Sequence, residues 1–306
     1  MAQLDAAEIT KAVINSMANC KDPRFKQIMG GLVKHLHAFA QEVDLRPEEW
    51  MQAIQFLTAT GQMCNDKRQE FILLSDTLGL SMLVVALEQS RGAKALKEKA
   101  PAYEPTEATV QGPFFWEGAP KLPLGSDLAA VLDATPTYYS GQVTDTNGKP
   151  LAHCALDVWS GDEDGFYDLQ KGPDAPMQLR AQFRTDKDGK YYYWSLKPSL
   201  YPVPMDGTGG VMLKAMGRHP FRPGHMHTIL VADGHQKLVT HLFDSGSEYL
   251  DSDAVFGVRD SLKVVFQEHA PGTAPDGRVM DKTWMSCSYD FRLVPSETSS
   301  ATLASH

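Results

Sequence analysis

Apolar residues recur at three- and four-residue steps through the first hundred positions, then give way to the two-residue alternation of strands. Asp22-Pro23 is an N-cap followed by proline at the first helical position. Behind it, Phe25, Ile28, Met29, Leu32, Leu36 and Phe39 form one helical stripe. Pro47-Glu48-Glu49 opens a second helix, with acidic residues where the dipole favours them and a stripe of Trp50, Ile54 and Leu57. Phe71 to Leu87 is apolar nearly all round, which predicts a helix buried on most sides. Arg91 to Lys99 reads as an exposed basic helix end.

From 101 to 132 prolines and glycines interrupt every periodic pattern, which predicts an ordered strap rather than a helix or long strand. From about Tyr138 the pattern is β. Asn147-Gly148, Asp188-Gly189 and Asp233-Gly234 are dipeptides favoured in tight turns. Ala155 to Trp159 alternates, Tyr191 to Trp194 is aromatic and β-prone, and Lys237 to Phe243 can pair across Asp233-Gly234 with the run His225 to Val231. The fold class expected is α+β: N-terminal helices over 1–100, a strap over 101–135, a mainly antiparallel β-sandwich over 136–295 and a loose tail over 296–306.

Candidate chemistry starts in the strand His225-Met226-His227-Thr228-Ile229-Leu230-Val231. Alternate side chains share a face, so His225 and His227 project together while Met226, Thr228 and Leu230 take the other side. Two imidazoles on one face suit a metal ion without choosing it; zinc is the default for His-rich sites with an open position, and two polar residues at a pocket rim is the plainer alternative. The formal charge of −9 argues against nucleic acid or an anionic membrane as partner. No signal peptide is evident and the apolar runs are too short to span a bilayer. Four scattered cysteines, none in a Cys-x-x-Cys pair, read as reduced thiols, so a cytoplasmic location is expected.

Two tyrosines lie in distinctive loops: Tyr167 in the polar run Asp162 to Asp168, and Tyr201 between prolines in Lys197 to Pro204. With Arg222-Pro-Gly-His-Met-His227 these loops resemble the intradiol ring-cleaving dioxygenases. The ordered motifs are Gly165-Phe166-Tyr167, Tyr201-Pro-Val-Pro204, Gly217-Arg218-His219, and Arg222 to His227. The resemblance implies a non-haem ferric ion held by Tyr167, Tyr201, His225 and His227. Hard Fe(III) suits two tyrosinates and a hydroxide, which balance its three positive charges, with two neutral imidazoles completing five-coordination. A free tyrosine titrates near pH 10, so the adjacent cation must keep the phenolates charged. The reaction implied is O2-dependent cleavage of a catechol-type ring between its two hydroxylated carbons, with Tyr201 leaving the metal and accepting a proton. Arg222 would stabilise negative charge on substrate and intermediate, and His241 would act beside the metal on the oxygen side.

Ala108 to Phe115, Thr240 to Phe243, and Tyr249 to Gly257 resemble the hydroxyquinol-cleaving branch most closely. Its substrate is 1,2,4-trihydroxybenzene and its product 3-hydroxy-cis,cis-muconate, the enol of maleylacetate; catechol or chlorocatechol is the alternative. The implied pocket comprises Leu83, Val110, Gln111, Gly112, Pro113, Phe114, Val203, Pro204, Arg222 and Val255, a mostly apolar slot suited to an aromatic ring. The family also implies a homodimer through the N-terminal helices, with a phospholipid in an apolar channel. Leu32, Leu36, Phe39, Trp50 and Ile54 fit that interface or a core within one subunit. A zinc hydrolase or lyase, and a non-catalytic sandwich that binds aromatics, are the competing classes.

Overall fold

The computed structural model describes residues 5–97, 101–172 and 174–296. The expected tail falls almost wholly outside them. The chain divides into two compact units, 1–59 and 60–306.

The first unit holds α1 (Ala6–Ser16), α2 (Pro23–Glu42) and most of α3 (Pro47–Gln62). Each start has a local cause. Asp5 and Glu8 form a capping box on α1. The Asp22 carboxylate accepts from the Arg24 and Phe25 amides ahead of Pro23. Glu48 and Glu49 occupy the first turn of α3. The Thr10 hydroxyl lies 2.9 Å from His37 Nδ1 and ties α1 to α2. No residue of α1 or α2 is buried, and Leu32, Leu36 and Phe39 are each more than half exposed. Their stripe is therefore an open face of the chain rather than a core.

The second unit begins with a departure from expectation. Phe71 to Leu87 is not one buried helix: it breaks at Gly79, whose φ of +76° suits glycine, into α4 (Glu70–Thr77) and α5 (Leu80–Lys97), bent by 72°. Leu73 and Met82 face inward, while Phe71, Leu78, Leu80, Leu83, Val84 and Leu87 are exposed. Helix α4 packs on α6 (Thr208–Ala215), whose Gly209 amide donates to Glu70 Oε1 at 3.0 Å. The compact division thus falls at residue 59, not at the change of pattern near residue 100, because α4 docks on the loops of the sandwich.

The strands are β1 (Pro136–Asp145), β2 (Ala155–Trp159), β3 (Arg180–Arg184), β4 (Lys190–Leu196), β5 (Tyr201–Pro202), β6 (Phe221–Arg222) and β7 (His225–Val231). They continue with β8 (Leu238–Asp244), β9 (Lys263–Val264), β10 (Gln267–His269), β11 (Gly272–Thr273), β12 (Val279–Met280), β13 (Trp284–Ser288) and β14 (Phe291–Leu293). One sheet is centred on β1, with β4 antiparallel along one edge; β13 and β14 run parallel along the other, end to end. The other sheet has the order β3-β2-β7-β8-β9, and its β8–β9 pair is also parallel. The sandwich is therefore mixed rather than mainly antiparallel. Asp233-Gly234 closes the hairpin between β7 and β8, and Asn147-Gly148 closes a short one on the end of β1, where Thr144 pairs antiparallel with Pro150. Asp188-Gly189 carries the chain from β3 in one sheet to β4 in the other.

The main core lies between the sheets, where Met226 and Leu230 of β7 meet Leu156, Phe183, Tyr193 and Tyr139. The rings of Phe183, Tyr193 and Tyr139 stack in series at centroid distances of 5.0 Å, joining the two sheets. Each such buried side chain contributes roughly 1.5–3 kcal/mol. The strap is stitched across both sheets by backbone bonds, from Thr109 to Val239 and from Leu122 to Gln182 on one, and from Gly125 to Tyr192 on the other. It covers the face of β7 that carries the histidines.

Candidate metal centre

Strand register builds the site. Arg180 of β3 lies opposite Trp159 of β2, Trp159 opposite His227 of β7, and His227 opposite His241 of β8. Residues directly opposite share a face, so these four form one row, away from the inter-sheet core. The Trp159 ring stacks on His227 at 4.4 Å, and His225 stacks on His241 at 4.5 Å. The ligand nitrogens of His225, His227 and His241 all lie within 4.8 Å of one another, and all three rings are buried.

Tyr167 arrives on the loop after β2, its amide held by Gln170 Oε1 at 2.9 Å. Tyr201 sits in β5, paired with Arg222 of β6, three residues before His225. Two glycines permit this convergence. A Cβ on Gly165, at φ +84°, would stand 2.7 Å from Tyr201 Cβ, and one on Gly224 would stand 2.3 Å from the Pro198 carbonyl oxygen. The Tyr167 hydroxyl lies 2.9 Å from His227 Nε2, which is 3.1 Å from His225 Nε2. Arg222 Nη1 reaches His225 Nε2 at 3.1 Å and Tyr201 Oη at 3.4 Å. Two phenolic oxygens and two imidazole nitrogens thus surround one buried point, with a guanidinium at its edge.

The electrostatics suit a cation there. Burial and then the Arg222 charge hold His225 down to about 3. Burial, with the neighbouring histidines, also keeps His227 and His241 neutral. His225 Nδ1 donates to the Pro223 carbonyl at 2.7 Å, which turns the bare lone pair of Nε2 toward His227. That outer hydrogen bond is the usual support of a metal-binding histidine. His227 Nδ1 has no hydrogen-bond partner among the described residues, and the Val110 backbone lies against His241. Burial pushes the Tyr167 phenol well above its ordinary value, so a phenolate there requires an adjacent positive charge.

Residues 22–95 match the family description "Catechol dioxygenase N terminus" and residues 110–295 match "Dioxygenase". The chain belongs to the intradiol ring-cleavage dioxygenases. A protein named hydroxyquinol 1,2-dioxygenase from Rhodococcus opacus is 45% identical over 293 residues, covering 94% of each chain. Its namesake from Corynebacterium glutamicum is 46% identical over 300 residues, covering 96% of each. The crystal structure of hydroxyquinol 1,2-dioxygenase from Pseudomonas putida DLL-E4 superposes with a TM-score of 0.81 at 43% identity, covering 95% of this chain and 99% of that one.

In this intradiol dioxygenase a cavity of about 700 Å³ opens beside the four donors, lined by Pro113, Phe114, Val203, Pro204, Gly165 and Leu73. Val110, Val203 and Val255 cluster with Leu73, Met82 and Leu213. Gly112 approaches the His227 ring, and Gln111 is half-buried. Leu83 does not join them. It is 55% exposed, because its neighbour Met82 takes the inward position on α5.

Several residues here escaped the sequence pattern. Asp253 takes Arg222 Nε at 2.9 Å and Nη2 at 3.3 Å, with both side chains buried. This leaves Nη1 aimed at the centre. Burial raises the Asp253 carboxyl, but the charge and hydrogen bonds of Arg222, joined by His225 and the Gly257 amide, together outweigh it and the net shift is downward. Asp76, one turn along α4 from Leu73, is 2% exposed, and burial pushes its carboxyl up to about 6. Asp168 and Arg180 form a second buried ion pair. No local pattern marks an acid that will be buried; only its partner across the fold does.

Proposed function

We propose that this intradiol dioxygenase cleaves hydroxyquinol with O2 at a non-haem Fe(III) centre held by Tyr167, Tyr201, His225 and His227, giving 3-hydroxy-cis,cis-muconate. The observation that carries this is the meeting of those four side chains at one buried point, in a chain that shares 45% identity with a hydroxyquinol 1,2-dioxygenase. A hard trivalent ion would suit the two phenolic oxygens and, when bound, would supply a Lewis acid that withdraws electron density from the diol.

The chain's own residues do the rest. Pro113, Phe114, Val203 and Pro204 offer the ring an apolar wall that excludes water. Tyr201, on a two-residue strand with one long hydrogen bond to Arg222, is the ligand free to swing away, and its oxygen can accept a substrate proton. Arg222 Nη1, aimed by Asp253, faces the site of developing negative charge. His241, stacked on His225 and edge-on to His227, would act on the oxygen side.

The open stripe of α2, with Leu36 57% exposed, supports a homodimer through the helical part of 1–100, with a phospholipid chain in the apolar channel. The four free thiols fit a reducing, cytoplasmic compartment. Ferric-loaded protein should be wine-red from tyrosinate-to-iron charge transfer, and oxygen uptake should be fastest with hydroxyquinol among hydroxyquinol, catechol and chlorocatechols. Colourless iron-loaded protein sinks the ligand set, and a clear preference for catechol sinks the substrate assignment. The three-histidine cluster favours one second reading, a zinc hydrolase or lyase. Metal analysis of natively purified protein separates the two.

A further inference from the structure

We infer that the buried Asp168–Arg180 pair is a positioning device that locks Tyr167 at the metal centre. The inference rests on the ferric reading above and deepens it. Asp168 follows Tyr167 directly in the chain and is enclosed by donors. Arg180 Nε reaches its Oδ2 at 2.6 Å, Arg180 Nη2 its Oδ1, and the amides of Leu169 and Gln178 add bonds of 2.8 and 3.0 Å. The same guanidinium donates to the Phe114 carbonyl at 3.2 and 3.3 Å. Phe114 in turn stacks on the Tyr167 ring at 4.5 Å and 19°.

One cation therefore holds both the loop that bears Tyr167 and the strap that lies flat on it. Arg180 is itself fixed by register, at the head of the row that runs through Trp159 to His227. The Tyr201 hydroxyl instead meets Arg222 Nη1 at 3.4 Å and the Tyr167 hydroxyl, and its neighbours Pro202 and Val203 face the cavity.

The test uses the full chain loaded with ferric iron, comparing wild type with Arg180→Met, Arg180→Lys and Asp168→Asn. The measurements are the tyrosinate charge-transfer band, iron affinity, thermal midpoint, and kcat and KM separately. Removing an outer partner of a metal ligand costs about ten- to a hundredfold in affinity or activity. Arg180→Met should lose that much in iron affinity and kcat, shift the band, and leave KM nearly unchanged. Arg180→Lys, which keeps the charge without the fork, should recover part of the band shift. If Arg180→Met does not fold, Asp168→Asn, close in shape, should show the same band shift in smaller degree. A variant with a lowered midpoint but a wild-type band and kcat overturns the inference, since a purely structural pair behaves that way. Wild type with no tyrosinate band overturns the ferric reading instead.

Discussion

Replacing Asp253 by Asn isolates the aiming of Arg222. Both side chains are 2% exposed, and Asp253 accepts from Arg222 Nε and Nη2 and from the Gly257 amide at 2.8 Å. Asparagine keeps the shape and one acceptor but removes the charge that balances a guanidinium in a dry site. Breaking a buried ion pair by removing one partner costs about 3–5 kcal/mol; the retained hydrogen bonds put this variant at the lower end, about 3 kcal/mol. Activity falls for a separate reason. Without two acceptors on one edge, the guanidinium no longer holds Nη1 3.1 Å from His225 Nε2. Loss of one aimed donor costs about 10²–10³-fold in kcat. Urea unfolding gives the first quantity and oxygen uptake the second. In an Arg222→Met background the Asp253 change should add little instability, because the stranded charge is gone. A variant within about 0.5 kcal/mol of wild type and with unchanged kcat would refute the reasoning.

Three further outcomes are expected. Gly165→Ala places a side chain at φ +84°, 2.7 Å from Tyr201 Cβ; it should lose at least about 1–2 kcal/mol, and iron titration should show weaker binding, whereas wild-type values on both counts would contradict the loop geometry. Asp76 rises from 3.8 to about 6 in the folded chain, so the folded state holds the extra proton between those values and stability falls as pH rises through that window. Asp76→Asn should then gain up to about 3 kcal/mol over wild type above pH 7 and little below pH 4, read from denaturation across pH; a constant difference would contradict the burial assignment. Leu36→Glu, on the exposed α2 stripe, should shift sedimentation from dimer toward monomer without loss of helicity, and an unchanged dimer would remove that stripe from the interface.

Local signals in the chain were strong where the physics is local. Asp22-Pro23 marks the start of α2 because capping involves only adjacent residues. The period of two in His225 to Val231 places both imidazoles on one face whatever the strand pairs with. The signals failed where the outcome depends on partners. The break at Gly79 was hidden in a continuous apolar run, since composition does not register a φ of +76°. Asp188-Gly189 looks like Asp233-Gly234, yet it turns the chain from β3 in one sheet to β4 in the other. Leu83 and Met82 are equally apolar, and only the docking of α5 selects which one faces inward.

Read alone, the chain specified its element types, the donor types available for a metal and the loops that carry them, because propensity, capping and side-chain period act over a few residues. The fold decided that Arg180, Trp159, His227 and His241 stand in one row. It also decided that Asp253 and Asp168 meet arginines 31 and 12 residues away. Register and burial are set by every strand and helix at once, and so is the charge balance of a site removed from water.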